Sequence, residues 1–329
     1  MKAGKLPGVV ENRSVFMFTG TQRLESAQNV CSAAVGGQIT VLATDQTGIF
    51  GTEQTRALRI GALFDRVYAM LVAQGADGGA FTVSLSLPPK VEERELKKLS
   101  AMIAQAAESR GITAYSVHVQ GRYEPEECAG IVQMTVTGAG VKGAKALPSV
   151  LVNAPAGKSI VMAGHAALEA TAVLISEKQD VLSKRLAVSY LTQGFKKICQ
   201  TDMQRAARIA ADAGAVVKIA GEGGVFGALW ELGEFFDCGM DIALRDILML
   251  QETIEVCEVL DVNPYMLASG GCILAVTEDA TALLAQYQEA GIAAAEIGTL
   301  KEGHDRVIHN EWEERFLEPF RAEEMYRVL

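Results

Sequence analysis

Gly221-Glu222-Gly223-Gly224-Val225-Phe226-Gly227-Ala228-Leu229-Trp230-Glu231-Leu232-Gly233-Glu234 is the stretch that decides how the chain is read. It follows a short apolar run at 215–219 and opens a segment with helical periodicity. Strand, glycine loop and helix in that order aim backbone N–H groups and the positive end of a helix at an anion. Gly221, Gly223 and Gly224 would let the backbone approach a phosphate closely. Gly223, Gly224 and Gly227 would equally serve close packing of helix on strand, and spacing alone leaves both roles open.

The bulk numbers set the frame. At 329 residues the chain is long for one core and comfortable for two domains. Apolar residues make up 49% and charged residues 21%, ordinary for a soluble globular protein. A net charge of −10 argues against a nucleic-acid groove, which needs clustered Lys and Arg. The basic run of Lys184, Arg185, Lys196, Lys197, Arg205 and Arg208 reads as a solvated helix face. The start of the chain lacks the apolar core of a signal peptide, and no apolar run approaches the roughly 20 residues of a membrane span. Six scattered cysteines without a C-x-x-C point to reduced thiols. These features predict a cytoplasmic protein.

Working outward, strands are expected at 38–44, 80–87, 112–119 and 131–137, with helices at 54–74 and 92–110. Glycines, Pro148 and Pro155 punctuate a strand-like run at 149–152, where a domain boundary is placed: residues 1–150 and 151–329. The second half reads as helices at 165–176, 180–192 and 196–213, then the strand, glycine loop and helix quoted above. A strand at 240–244, a helix at 251–260 and a strand at 272–276 follow, with Thr277 capping a helix at 278–290 and a last strand at 292–297. Strands and helices alternate in both halves, so two α/β or α+β domains are expected.

Gly138-Ala139-Gly140-Val141-Lys142-Gly143 has the form of a dinucleotide fingerprint, but that motif needs a helix next and an acidic residue about twenty positions on. Pro148 stands where the helix should run, so an interdomain turn is expected instead. His165 could serve as a general base or simply pack at a helix start, and Trp230 and Cys272 read as core. His304 and His309 read as solvent-exposed.

The glycine-loop stretch, together with Asp261-Val262-Asn263-Pro264, the 268–275 run Ala-Ser-Gly-Gly-Cys-Ile-Leu-Ala and Ala294-Ala295-Glu296-Ile297-Gly298, resembles the carboxy-terminal domain of the AIR synthase-related proteins. That superfamily includes PurM, the selenophosphate synthetases, thiamine-phosphate kinase and HypE, and the HypE-like bacterial branch is the nearest in look. The likeness extends to Met1-Lys2-Ala3-Gly4-Lys5-Leu6-Pro7, to Arg13-Ser14-Val15-Phe16 and to Glu324-Met325-Tyr326-Arg327-Val328-Leu329. The resemblance implies a two-domain PurM-like fold, with an amino-terminal α/β domain dimerising through its sheet and a carboxy-terminal α+β domain. It also implies ATP and Mg²⁺ on the amino-terminal domain and phosphoryl transfer, which requires carboxylates for the metal.

The expected carboxylates are where the chain departs. The early glycine-acid motif reads Val35-Gly36-Gly37-Gln38, and the following one survives as Thr44-Asp45-Gln46-Thr47-Gly48, leaving Asp45 as the retained candidate for metal and nucleotide. A family Asn-Asp pair falls on Ala69-Met70, and a third loop reads Gln120-Gly121-Arg122-Tyr123. Arg122 could pair a phosphate directly or form a surface salt bridge. An acid ahead of the glycine loop is replaced within Ile219-Ala220-Gly221. HypE activity uses a carboxy-terminal cysteine, and this chain ends Tyr326-Arg327-Val328-Leu329.

The resulting expectation is a homodimer with an eroded ATP/Mg site, its cofactors weakly held or lost, acting as a binding, scaffolding or regulatory paralogue. A small-molecule or nucleotide ligand is expected, and neither nucleic acid nor membrane. The alternative is an active ATP-dependent enzyme of hydrogenase or other cofactor maturation. Asp45, Gly221, Gly223, Gly224 and Arg122 are the candidate site residues, Asp45 the candidate metal ligand.

Overall fold

A computed structural model of the chain describes Ser14 and residues 29–123, 131–143, 156–199, 202–320 and 322–329. Cys128, the strand expected at 149–152, the domain boundary at 150/151 and the likeness near the amino terminus, apart from Ser14, lie outside the described residues.

Two sheets carry the molecule. The first is built from β1 (Val30–Val35), β2 (Gln38–Ile49), β3 (Ala76–Leu87), β4 (Tyr115–Gly121) and β5 (Val132–Lys142), in the spatial order β1-β2-β5-β3-β4. All its pairs are antiparallel except β3 with β4. Helices α1 (Glu53–Ala73) and α2 (Glu93–Glu108) cover one face, where Val41, Ala43, Phe81, Val83, Leu85, Met134 and Val136 alternate inward. Thr52 caps α1, its side chain accepting from Thr55 N.

The second sheet runs β12-β11-β8-β10-β6-β9-β7, from β6 (Ser159–Ala163), β7 (Val216–Ile219), β8 (Gly239–Ala243), β9 (Ile273–Thr277), β10 (Ala294–Lys301), β11 (Arg306–His309) and β12 (Glu314–Phe316). Its helices are α3 (Leu168–Glu177), α4 (Gln179–Leu182), α5 (Val188–Ile198), α6 (Met203–Asp212), α7 (Gly224–Phe236), α8 (Gln251–Leu260) and α9 (Ala280–Glu289). This is the two-domain α/β arrangement expected. The halves share a core: α1 packs on α6, α3 and β7, and Leu63, Phe64 and Val67 belong to one apolar cluster with Ala206, Ala210, Val217 and Ile273.

Several local readings change. The run at 138–143 is no turn, because β5 continues to Lys142. Its glycines are there for room: a Cβ on Gly138 would crowd Phe81, Leu71 and Val67, and one on Gly140 would run into the Asp77 carbonyl. Gly36 and Gly37 join β1 to β2 in a two-residue hairpin with φ of +59° and +82°, a conformation glycine adopts freely. Helical pattern at 180–192 and 196–213 resolves into α4, α5 and α6 with altered limits. The cap of α9 is Asp279, which accepts from Ala282 N, while Thr277 Oγ1 accepts from Asp279 N. The strand expected to end the fold is followed by β11 and β12, which the patterning did not predict.

Candidate functional site

The site grows from α1. Arg59 and Arg66 lie two turns apart on the stripe of that helix that also carries Leu63 and Val67, and both are buried. A buried guanidinium needs partners, and each arginine finds them on β2 and in the carboxy-terminal half. Arg66 Nε donates to Asp45 Oδ2 at 2.7 Å and its Nη1 to Glu169 Oε2 at 2.5 Å. Burial works to lower the Arg66 pKa, but Glu169 and Asp45 override it and hold the charge firmly on. Asp45 has its other oxygen, Oδ1, on Gln46 N at 2.8 Å.

Arg59 Nε donates to the Gly48 carbonyl at 2.6 Å, and its Nη2 donates to Thr47 Oγ1 and to the Tyr326 hydroxyl, the latter at 3.0 Å. Glu222 Oε1 stands 3.5 Å from the same nitrogen and accepts from the Tyr326 hydroxyl at 3.0 Å. The Arg59 guanidinium also lies 4.7 Å from the centre of the Phe50 ring.

The glycine loop abuts these arginines. A Cβ on Gly221 would meet Arg66 Cδ at 3.4 Å, one on Gly223 would press the Phe320 ring at 2.8 Å, and one on Gly224 would strike the backbone of 265–267. Gly223 and Gly224 therefore make room for a neighbour, while Gly221 would accept a Cβ at ordinary contact distance. Gly223, at φ +90°, is also the residue before α7, and its N–H donates to Glu323 Oε2 at 2.8 Å. The loop thus packs closely and points an N–H at a carboxyl of the chain itself.

Asp45, Gly221 and Gly223 are therefore brought into one neighbourhood, which Gly224 closes from behind. Arg122 is not. Asp45 sits in the row of Val136, Val83 and Val117, and Arg122 follows five residues after Val117, three strands from β2. That separation is roughly 14 Å across the sheet and about as much again along it. Arg122 Nη2 donates to the Ile131 carbonyl at 3.0 Å. Ala69 and Met70 lie in the core side of α1.

The donor set does not suit Mg²⁺. Hard divalent cations take several free oxygens, whereas both Asp45 oxygens are engaged and the nearest charge is a guanidinium. Among the described residues no group of three or more His, Cys, Asp or Glu is placed to hold a metal ion. No described helix is long and apolar enough to cross a membrane.

The remaining candidates sit apart. His165 precedes α3 and faces Lys197 and Glu252; burial first, then Lys197, lowers its pKa. His309, read as solvent-exposed, is only partly so and pairs through Nε2 with Asp241 Oδ1 at 2.8 Å. Trp230 is half-buried beneath the Arg306 guanidinium, 4.1 Å from its ring centre. Burial pushes the Cys272 thiol up to about 12, which makes it inert. Patterning missed Arg59, Arg66, Glu169, Glu323 and Tyr326. The one signal for the arginines was their place on the apolar stripe of α1.

Comparison with known proteins fits this architecture. Residues 155–310 match the family described as AIR synthase related protein, C-terminal domain. That match covers the carboxy-terminal half, and over nearly the whole chain the fold is PurM/HypE-like. E. coli HypE is 17% identical with a TM-score of 0.67, covering 88% of this chain and 88% of that one. HypE in complex with ATP is 17% identical with a TM-score of 0.63, over 100% of this chain and 98% of its own. AaThiL complexed with AMPPCP and TMP is 11% identical with a TM-score of 0.68, over 97% and 98%. At these identities the likeness is one of fold. No curated protein sequence matches this chain significantly.

Proposed function

We propose that the chain is a homodimeric PurM/HypE-like protein whose ATP/Mg²⁺ site is eroded, and that it acts by binding, scaffolding or regulation. One observation carries the reading: the Arg66 guanidinium fills the space between Asp45 and Glu169, so the retained acid is neutralised from within the chain. A second positive centre beside it would be repelled, and releasing Asp45 would strand a buried Arg66.

The dimer is supported by the uncovered face of the first sheet. Its central rows are Thr44, Thr137, Thr82 and Ser116, then Gln46, Thr135, Ser84 and His118, with no Asp, Glu, Lys or Arg in either. Leu42 and Val141, 40% and 43% exposed, lie beside them. A face of small, uncharged side chains can approach a copy of itself closely. The competing reading, an active ATP-dependent enzyme of hydrogenase or other cofactor maturation, draws on the ATP and AMPPCP complexes of the relatives. The engaged Asp45 counts against it.

Calorimetric titration with ATP and Mg²⁺ tests the site. No Mg²⁺-dependent binding is expected at micromolar concentration; micromolar binding, or ATP turnover abolished by Asp45→Ala, would sink the reading. Light scattering tests the assembly. Wild type is expected as a dimer and Thr137→Arg as a monomer of unchanged melting temperature, whereas a monomeric wild type removes the dimer.

A further inference from the structure

A second flank of α1, distinct from the stripe of Arg59 and Arg66, lines a cleft between the two halves of the molecule. Neither the glycine loop nor the terminal turn takes part in it. Its volume is about 410 Å³, within the roughly 300–1,000 Å³ of small-molecule sites. Leu58 and Ala62 of α1, Met102 of α2, Leu168 of α3, and Phe195 and Ile198 of α5 give it apolar walls. Gln54 and Gln105, both exposed, add uncharged polar groups.

The charged groups of the cleft are paired within the chain. Arg110 holds Asp65 by two parallel bonds, Nε on Oδ1 at 2.8 Å and Nη2 on Oδ2 at 2.6 Å, and Gln204 Nε2 adds a third on Oδ1 at 3.2 Å. Glu169 is different. Its side chain is 3% exposed and lines the cleft, and only its Oε2 is bonded, to Arg66 Nη1. Among the described residues none donates to Oε1. A carboxylate oxygen so deeply placed is costly without a donor, and a ligand N–H in the cleft would supply one.

Charge narrows the class of ligand. A carboxylate or phosphate would face Glu169 and be repelled. An ammonium would share one carboxylate with the buried Arg66 guanidinium, and the two cations would repel each other. A neutral donor on an apolar body meets neither penalty. We propose that the cleft binds a neutral, largely apolar small molecule that donates one N–H to Glu169 Oε1.

This goes beyond the eroded-site reading and is tested without ATP or Mg²⁺, so either can fail alone. The probes are N-phenyl-1-naphthylamine, neutral with one N–H, and 8-anilinonaphthalene-1-sulfonate, the same skeleton bearing a negative charge. Fluorescence titration of the full chain should show the neutral amine bound at micromolar concentration and the sulfonate at least tenfold more weakly. Ala62 is only partly buried, so Ala62→Trp sends an indole into the cleft rather than into the core. That variant should bind the neutral probe at least tenfold more weakly. Cys199 lines the cleft and is exposed, as is Cys31 on β1. In wild type the neutral probe should slow alkylation of Cys199 by N-ethylmaleimide several-fold and leave Cys31 unchanged, read by peptide mass. Equal binding of the two probes overturns the proposal, as does neutral-probe binding that a folded Ala62→Trp leaves unchanged. So does a wild type in which Cys199 is protected no more than Cys31. The thiol comparison needs no variant and stands even if Ala62→Trp folds poorly.

Discussion

Two polar corners beside the glycine loop are built in the same way and held by different means. At one, a guanidinium stands beside Asp45 and Glu169; at the other, a carboxyl sits on the N–H of Gly223. Each corner holds a buried polar group supplied by the chain itself. Arg66, however, belongs to the middle of a 21-residue helix in the shared core. It cannot leave without dismantling α1 and stranding two carboxylates. Glu323 precedes a short turn with no strand ladder and is held by two backbone N–H groups. The difference separates a group fixed in the shared core from one held by local contacts.

The largest effect that could break this contrast comes from Arg66→Met. Removing the cation leaves Glu169 and Asp45 facing each other uncompensated, which should cost about 3–5 kcal/mol in urea unfolding. Millimolar Mg²⁺ should recover part of that loss in the variant and do nothing for wild type. A cost below about 1 kcal/mol would mean that both corners are equally dispensable. The smallest effect sharpens the contrast from the other side. Tyr326→Phe removes one hydroxyl bridge and should cost about 0.5–1.5 kcal/mol, seen as faster hydrogen exchange of amides 322–329 with global unfolding nearly unchanged. A global loss as large as that of Arg66→Met would make the terminal turn part of the core.

Much of the fold was legible in local pattern. The amphipathic run ending at Gly111 became α2 and the run closed before Pro264 became α8, because each carries its own periodicity and stop signal. The stretch 215–234 became β7, loop and α7 for the same reason. The other glycine-rich run, 138–143, misled because its glycines answer to side chains far away in sequence, Phe81 and Val67 among them. β1 was missed since it is an edge strand, mostly exposed, with no alternation to reveal it. β11 and β12 are too short to carry a period.

The site itself was half legible. Asp45 and the glycines could be picked out, yet the partners in this network are separated by 21 to 103 residues: Arg66 from Asp45, Glu169 from Arg66, Glu323 from Gly223. Arg122 was chosen for its chemistry and fails on placement, since strand order carries it to the far edge of the sheet.

What the sequence by itself determined was the type and place of most helices and strands, and the likeness of its second half to the AIR synthase-related C-terminal domain. These follow from periodicity, glycine punctuation and residue type, all of which are local. Only the tertiary structure decided what stands beside Asp45 and beside the glycine loop. Burying Arg66 and Glu323 requires each to meet a partner of suitable charge or geometry, and such partners are brought together by packing rather than by spacing along the chain.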